Sequence, residues 1–501
     1  MRNAIRTAVA MAAAVMALIA PMASPAGAKP SWTAGSGPNG WRAGPITWNP
    51  CPQHSDDPGL RCATLDLPID WAHPHGPTFS LAIAKQVATD PKRRIGPLLV
   101  GTGGPGLSGV DYVFDADTKF SPEIRRRFDI IGFDPRGVAR SSPAVCSVSL
   151  LAQMPYPVIS SQADYDQQIA YNKRLYDDCR ARTGPLFDHA DTLSVAYDMD
   201  AIRAALGAQR ISYHGVSYGT LIGQVYAERF PGRVRALALD SVMDHSLSTK
   251  PFLVDQAAAV EDSFDEFAAW CDRSPACALH GRSVGALYDD LMRRAETGTL
   301  VDPTSGNRLT WFDLSKHAFK EFYGPNWSSL ANWLDSLDNT TLGATSPKAA
   351  APSTGEVAEL PLPVVCGDWS LPIDGYAQMS RYLDKSRAVA PHLRVSTGAL
   401  APTMVCLGWQ GTVNNPQHRL RVNTSTPLLL INAQHDPATP YAWARNVADQ
   451  LGDNGRLVTY QGWGHGAYLR TACTTGYVDR FLIDRKLPPI GATCRATAQT
   501  K

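Results

Sequence analysis

Charge of one sign is what this chain lacks most plainly: 47 lysines and arginines stand against 46 aspartates and glutamates, for a net charge of +1. A surface so balanced has no basic excess with which to displace counterions from nucleic acid and no general pull toward a polyanionic partner. Metal-ligand spacing is missing too. No H-E-x-x-H occurs, His73 and His75 only flank Pro74, and none of the 10 cysteines is spaced as a zinc ribbon or a redox pair. No cofactor and no metal are therefore expected. Long apolar runs are scarce as well. The longest, from about Ala8 to Ala20, is too short to span a bilayer; it follows Arg2 and Arg6, is broken by Pro21 and leads to Ala26-Gly27-Ala28. Residues 1–28 thus read as a secretory signal peptide. The first cysteine, Cys51, lies far from the cleavage site, so no lipid anchor is expected and the mature chain is read as exported, beginning near Lys29.

What is present is a serine between two glycines at a junction of β-rich and helical sequence: Ile211-Ser212-Tyr213-His214-Gly215-Val216-Ser217-Tyr218-Gly219-Thr220. In G-x-S-x-G the small flanking residues let strand and helix pass closely, and the hydroxyl projects from a strained turn at the top of a sheet. Ser217 is the expected nucleophile. Such an elbow requires an acid and then a histidine further along, each in a loop after a strand. The apolar run Pro427–Asn432 leads into His435-Asp436-Pro437, and the strand 456–460 leads into Gly462-Trp463-Gly464-His465-Gly466. Asp436 and His465 fill the two places. His435 is a competing base, but its loop precedes the acid rather than following it. Asp436 could instead cap the helix expected over Tyr441–Leu451, a task open also to Thr439.

A third glycine-dense loop, Gly101-Thr102-Gly103-Gly104-Pro105-Gly106, follows the strand 97–100. Backbone amides there can approach a substrate carbonyl without Cβ obstruction, and no Walker lysine accompanies them. The amides of Gly104 and Tyr218 are the expected oxyanion pair. In order along the chain, Gly103-Gly104-Pro105-Gly106, Phe128-Asp129-Ile130-Ile131-Gly132-Phe133-Asp134-Pro135-Arg136-Gly137, Gly215-Val216-Ser217-Tyr218-Gly219 and the Asp436 and His465 loops resemble the prolyl and tripeptidyl aminopeptidase family of α/β-hydrolases, especially its secreted tripeptidyl branch. The likeness runs from about Cys51 to Cys494. It implies a secreted serine exopeptidase that releases short N-terminal peptides, tripeptides above all. One departure stands out: Gly101-Thr102 replaces the His or Asn-Pro that usually precedes the paired glycines. An ester or amide hydrolase acting on small molecules is the alternative, because the same three residues cleave esters; a binding protein on a hydrolase scaffold is a third reading, opposed by the intact triad.

Strands expected at 79–88, 97–100, 128–134, 211–215, 236–242, 427–432 and 456–460, with helical or loop segments between them, predict a mainly parallel sheet with helices on both faces. Helical patterns fill the interval between the two strand-bearing blocks. The expected organisation is a hydrolase core over 29–243 and 423–501, with an inserted helical cap over 244–422. An exopeptidase needs a carboxylate for the substrate's α-ammonium, and the cap offers Glu261, Asp262, Asp265, Glu266, Glu321 and Asp368, of which Asp368 and Glu261 are preferred. Arg136 is assigned to structure. Nearest-neighbour pairing of the cysteines gives 51–62, 146–179, 271–277, 366–406 and 473–494. The expected partner is a peptide or small acyl substrate, with neither nucleic acid nor membrane for the mature chain, which is expected to be a monomer.

Overall fold

The computed structural model describes residues 37–42, 44–339 and 356–497; the signal segment and the Ala-Pro-Ser-Thr-Gly loop near 349–355 lie outside the described residues. Ten strands form one sheet: β1 (Asn49–Pro50), β2 (Leu60–Pro68), β3 (Thr78–Gln86), β4 (Gly96–Gly101), β5 (Phe128–Phe133), β6 (Ile211–Val216), β7 (Val234–Asp240), β8 (Leu428–His435), β9 (Gly455–Trp463) and β10 (Thr493–Arg495). Their spatial order is β1-β2-β3-β5-β4-β6-β7-β8-β9-β10. The first four pair antiparallel and the remainder run parallel. The parallel strands are near-continuous apolar runs because both faces are covered; every residue of β5 is buried, as are the first six of β8. All seven strands expected from the sequence form, and β1, β2 and β10 are additional.

Register decides where chemistry can occur. Val216 pairs with Asp240, and Asp240 with Ile431, so the C-terminal ends of β6, β7 and β8 lie side by side. In such sheets ligands bind beyond the carboxyl ends of the strands. Helix α1 (Tyr218–Arg229) follows β6 directly.

Between β7 and β8 the described residues hold α2 (Thr249–Arg273), α3 (Val284–Glu296), α4 (Trp311–Tyr323), α5 (Trp327–Asp338), α6 (Leu362–Asp368), α7 (Gly375–Val389) and α8 (Thr397–Val405). Val260, Phe264, Phe267 and Cys271 recur at helical spacing along α2 and are buried with Trp270 and Trp327 in a core belonging to the insertion. A short strand, Val357–Glu359, pairs with Val145–Ser147 and hooks the insertion to the rest of the chain. Arg136 is wholly buried and held by both oxygens of Asp198 at 2.6 and 2.8 Å, which is a structural task.

All five nearest-neighbour disulfides are formed and no described cysteine is free. Cys473–Cys494 ties the helix after the His465 loop to β10. Peptide mapping without reductant is expected to recover these five pairs. Reduction is expected to lower stability by about 2–5 kcal/mol per bridge, read from denaturant unfolding. A free thiol at Cys473 or Cys494 would remove that staple.

Candidate active site

Ser217 stands between β6 and α1 with φ 57° and ψ −124°, a region that non-glycine residues rarely adopt. Its neighbours make the turn feasible. A Cβ on Gly215 would lie 2.5 Å from the carbonyl oxygen of Gly219, and one on Gly219 would lie 2.2 Å from that of Gly101. The Ser217 N–H donates to the Asp240 carbonyl at 2.9 Å, and the Ser217 carbonyl accepts from the Thr220 N–H and hydroxyl at 2.8 and 2.6 Å.

The expected acid and base lie on the next loops over. Asp436 follows β8 and accepts from His465 Nδ1 at 3.0 Å on each carboxylate oxygen. Its remaining lone pairs take the amides of Ala438 and Thr439 at 2.9 Å, the Thr439 hydroxyl at 3.0 Å and the Ser241 hydroxyl at 2.8 Å. Thr439 therefore serves Asp436 and does not cap helix α9 (Tyr441–Leu451), whose N-cap is Pro440. Burial pushes the Asp436 carboxyl up, but the neighbouring His465 charge, its hydrogen bond and the two amides outweigh burial and hold the group below its ordinary range. Burial pulls His465 down, while Asp436 and then Asp240 lift it more, so the imidazole rests above its ordinary value. A carboxylate at Nδ1 fixes the proton there. Nε2 is buried with no hydrogen-bond partner, Ser217 Oγ included. Such contacts are commonly long without substrate and tighten when it binds. His435, the competing base, pairs with Asp262 at 2.8 Å.

Two residues at the end of β7 join these loops, and the sequence did not single them out. The Asp240 carbonyl holds the Ser217 amide, while its carboxylate accepts from the Ala467 and Tyr468 amides at 2.8 Å. Ser241 donates to Asp436 and accepts the Gly466 amide at 2.8 Å. Burial pushes the Asp240 carboxyl up to about 6, against the lowering effect of those amides. Strand position was the available signal, since this pair ends the strand next to the elbow.

Gly104 and Tyr218 line one pocket with Ser217. The glycine loop presses on Ser217: a Cβ on Gly103 would lie 2.9 Å from Ser217 Cβ. Tyr218 opens α1, so its amide has no partner four residues back within the helix. The pocket is small, about 80 Å³, and its walls are largely apolar, including Met243, Phe252, Phe319 and Trp369, with no carboxylate among them.

The two preferred amine-binding acids are elsewhere, which corrects the expectation. Asp368 is fully buried, and its oxygens take the Thr192 amide at 2.8 Å, the Thr192 and Tyr218 hydroxyls and the Asn415 amide group at 3.2 Å. Burial, with nearby Asp191, pushes its carboxyl up to about 7. Glu261 accepts the backbone amides of His392 and Leu393 at 3.1 and 3.0 Å. Neither lines the pocket, because each is held by donors elsewhere, an arrangement of the tertiary fold that residue type and spacing do not encode. Asp368 instead anchors the side chain whose backbone flanks Ser217. Tyr218→Phe is expected to lower stability by about 1–3 kcal/mol in urea unfolding, because a buried acid loses a donor; no change would mean that this contact contributes nothing.

A strained serine, a histidine oriented by a buried acid and a glycine loop at the carboxyl edge of a parallel sheet define a serine hydrolase. The family model for the alpha/beta hydrolase fold matches residues 96–471, and the chain belongs to that family. It is 32% identical over 483 residues to serine protease Hip1 of Mycobacterium tuberculosis, covering 90% of this chain and 91% of that protein. It is 33% identical over 507 residues to carboxylesterase B of the same organism, covering 95% of each. It is 27% identical over 474 residues to the tripeptidyl aminopeptidase of Streptomyces lividans, covering 90% and 87%.

Proposed function

We propose that this serine hydrolase is a secreted exopeptidase that releases short peptides, tripeptides above all, from free N-termini. His465 Nε2 takes the Ser217 proton as Oγ attacks the scissile carbonyl, and Asp436 stabilises the imidazolium that forms. The Gly104 and Tyr218 amides receive the oxyanion; His465 then protonates the leaving amine, and water hydrolyses the acyl-enzyme by the reverse proton path. The observation that carries the exopeptidase reading is the shape of the pocket at Ser217: about 80 Å³, with Phe252, Phe319 and Trp369 of the insertion among its walls. A polypeptide continuing in both directions has little room there. The likeness to a tripeptidyl aminopeptidase and to a serine protease supports peptide substrates. In this reading residues 29–243 and 423–501 form the hydrolase core, 244–422 cap it, and the monomer needs no partner beyond its substrate. Five disulfides favour an oxidising, extracellular location.

The second reading, a small-molecule esterase, is favoured by the likeness to carboxylesterase B. Tripeptidyl anilides with free and acetylated N-termini, compared with simple esters, separate the two. The exopeptidase reading expects acetylation to reduce kcat/KM by about 10-fold or more, because the acetyl group adds bulk at the end of a substrate that already fills a pocket of about 80 Å³. Equal turnover of free and blocked peptides would overturn it, and turnover of esters alone would favour the second reading.

A further inference from the structure

A larger cavity, about 710 Å³, adjoins the pocket at Ser217 and shares Phe319, Tyr323 and Gly398 with it. Helix α4 forms the boundary. Lys316, Phe319, Lys320 and Tyr323 line this cavity at i, i+3, i+4 and i+7, one face of the helix. One end of that stripe touches the base: the Tyr323 ring lies 4.8 Å from the His465 ring, centroid to centroid, and its carbonyl accepts the His465 N–H at 2.9 Å. The other end, about 5–10 Å along the helix axis, carries two exposed ammonium groups. Among the described residues neither lysine enters an ion pair. The cavity's two acids are turned toward their own backbone: Asp313 completes a capping box with Thr310, and Asp302 accepts the amides of Thr304 and Ser305.

Acyl transfer gives the two spaces different roles. The base that deprotonates the serine must protonate the leaving amine, so the leaving segment departs past His465. Tyr323 covers that ring and borders both spaces, whereas Gly104 and Tyr218, beside which the acyl carbonyl must sit, line the smaller pocket and not the larger cavity.

Building on the peptidase reading above, we propose that the larger cavity holds the segment C-terminal to the scissile bond and that Lys316 and Lys320 bind a carboxylate carried by it. That carboxylate is the free C-terminus of a short leaving peptide or an acidic side chain. An extended chain advances about 3.3 Å per residue, so the charge falls about two to four residues beyond the scissile bond. The charges of Asp302 and Asp313 temper the attraction, and the expected preference is accordingly modest.

The test uses peptides with one acyl half and four leaving halves: neutral with an amidated C-terminus, the same with a free carboxylate, amidated with glutamate at the third position, and amidated with lysine there. Each kcat/KM is divided by that of a matched anilide on the same enzyme variant, which removes any effect on the catalytic groups. The natural enzyme is expected to favour a carboxylated leaving half about 5–10-fold over the neutral one, with a preference that shrinks as salt rises. The free-carboxylate and glutamate arms identify the source. The Lys316→Gln, Lys320→Gln double variant should level the series, and the corresponding double change to glutamate should favour the lysine peptide. Indifference of the natural enzyme to the leaving half would overturn the proposal while leaving the peptidase reading intact. A preference that survives in the double glutamine variant would overturn the assignment to these lysines. Ester turnover without any peptide cleavage would remove the proposal together with the peptidase reading.

Discussion

Ser217→Ala is expected to lower kcat/KM about a million-fold, because nucleophile and base act as a unit and the loss of one disables the other. The fold should survive. The hydroxyl carries none of the backbone contacts that shape the elbow, which run through the Ser217 N–H to Asp240 and through its carbonyl to Thr220. Alanine at φ 57° tolerates the turn no better and no worse than serine does. Labelling by a fluorophosphonate should disappear with activity, while circular dichroism and the unfolding midpoint stay near those of the natural protein. Retained labelling would mean that another serine reacts.

His465→Ala should be comparably damaging, whereas His435→Gln should leave most of the activity. Both histidines face carboxylates, so pairing alone does not distinguish them. The difference lies in what holds each acid. Asp436 is fully buried and gathers donors from Ala438, Thr439 and Ser241, while Asp262 is about half exposed. Only His465 combines a rigidly held acid at Nδ1 with a buried, unpartnered Nε2. Its pH profile should follow. Asp436 lifts the His465 pKa above its ordinary value, and the base must be neutral to accept the serine proton. Activity is therefore full on the alkaline side and falls as pH drops through that raised pKa. An acidic limb centred below the ordinary histidine value would contradict this assignment. A dead His435 variant beside an active His465 variant would reverse it.

The turn at Ser217 and the placement of Asp436 and His465 on neighbouring loops were legible because each depends on local sequence: glycines where a Cβ would collide with backbone, and loops that end apolar runs. The central strands were legible for the same reason, since burial on both faces leaves a continuous apolar signature in β5 and β8. Strand β2 escaped because it pairs antiparallel near the sheet edge and interleaves Arg61, Thr64 and Asp66 with buried leucines. Strand β10 is three residues long, too short to carry a period. Asp240 and Ser241 act across gaps of about two hundred residues to the His465 loop, a link that only strand register creates. Asp368 had the right chemistry for an ammonium site, yet the fold surrounds it with hydroxyls and amides and turns it into the anchor of Tyr218.

Release of short peptides from free N-termini by Ser217 is tested by a time course of products, identified by mass spectrometry, from one medium-length peptide with a free N-terminus and its acetylated twin. The N-terminal tripeptide of the free peptide is expected to appear first and the next tripeptide to follow, the acetylated twin to be cleaved far more slowly, and Ser217→Ala to yield neither product. Internal fragments from both peptides at similar rates would contradict it.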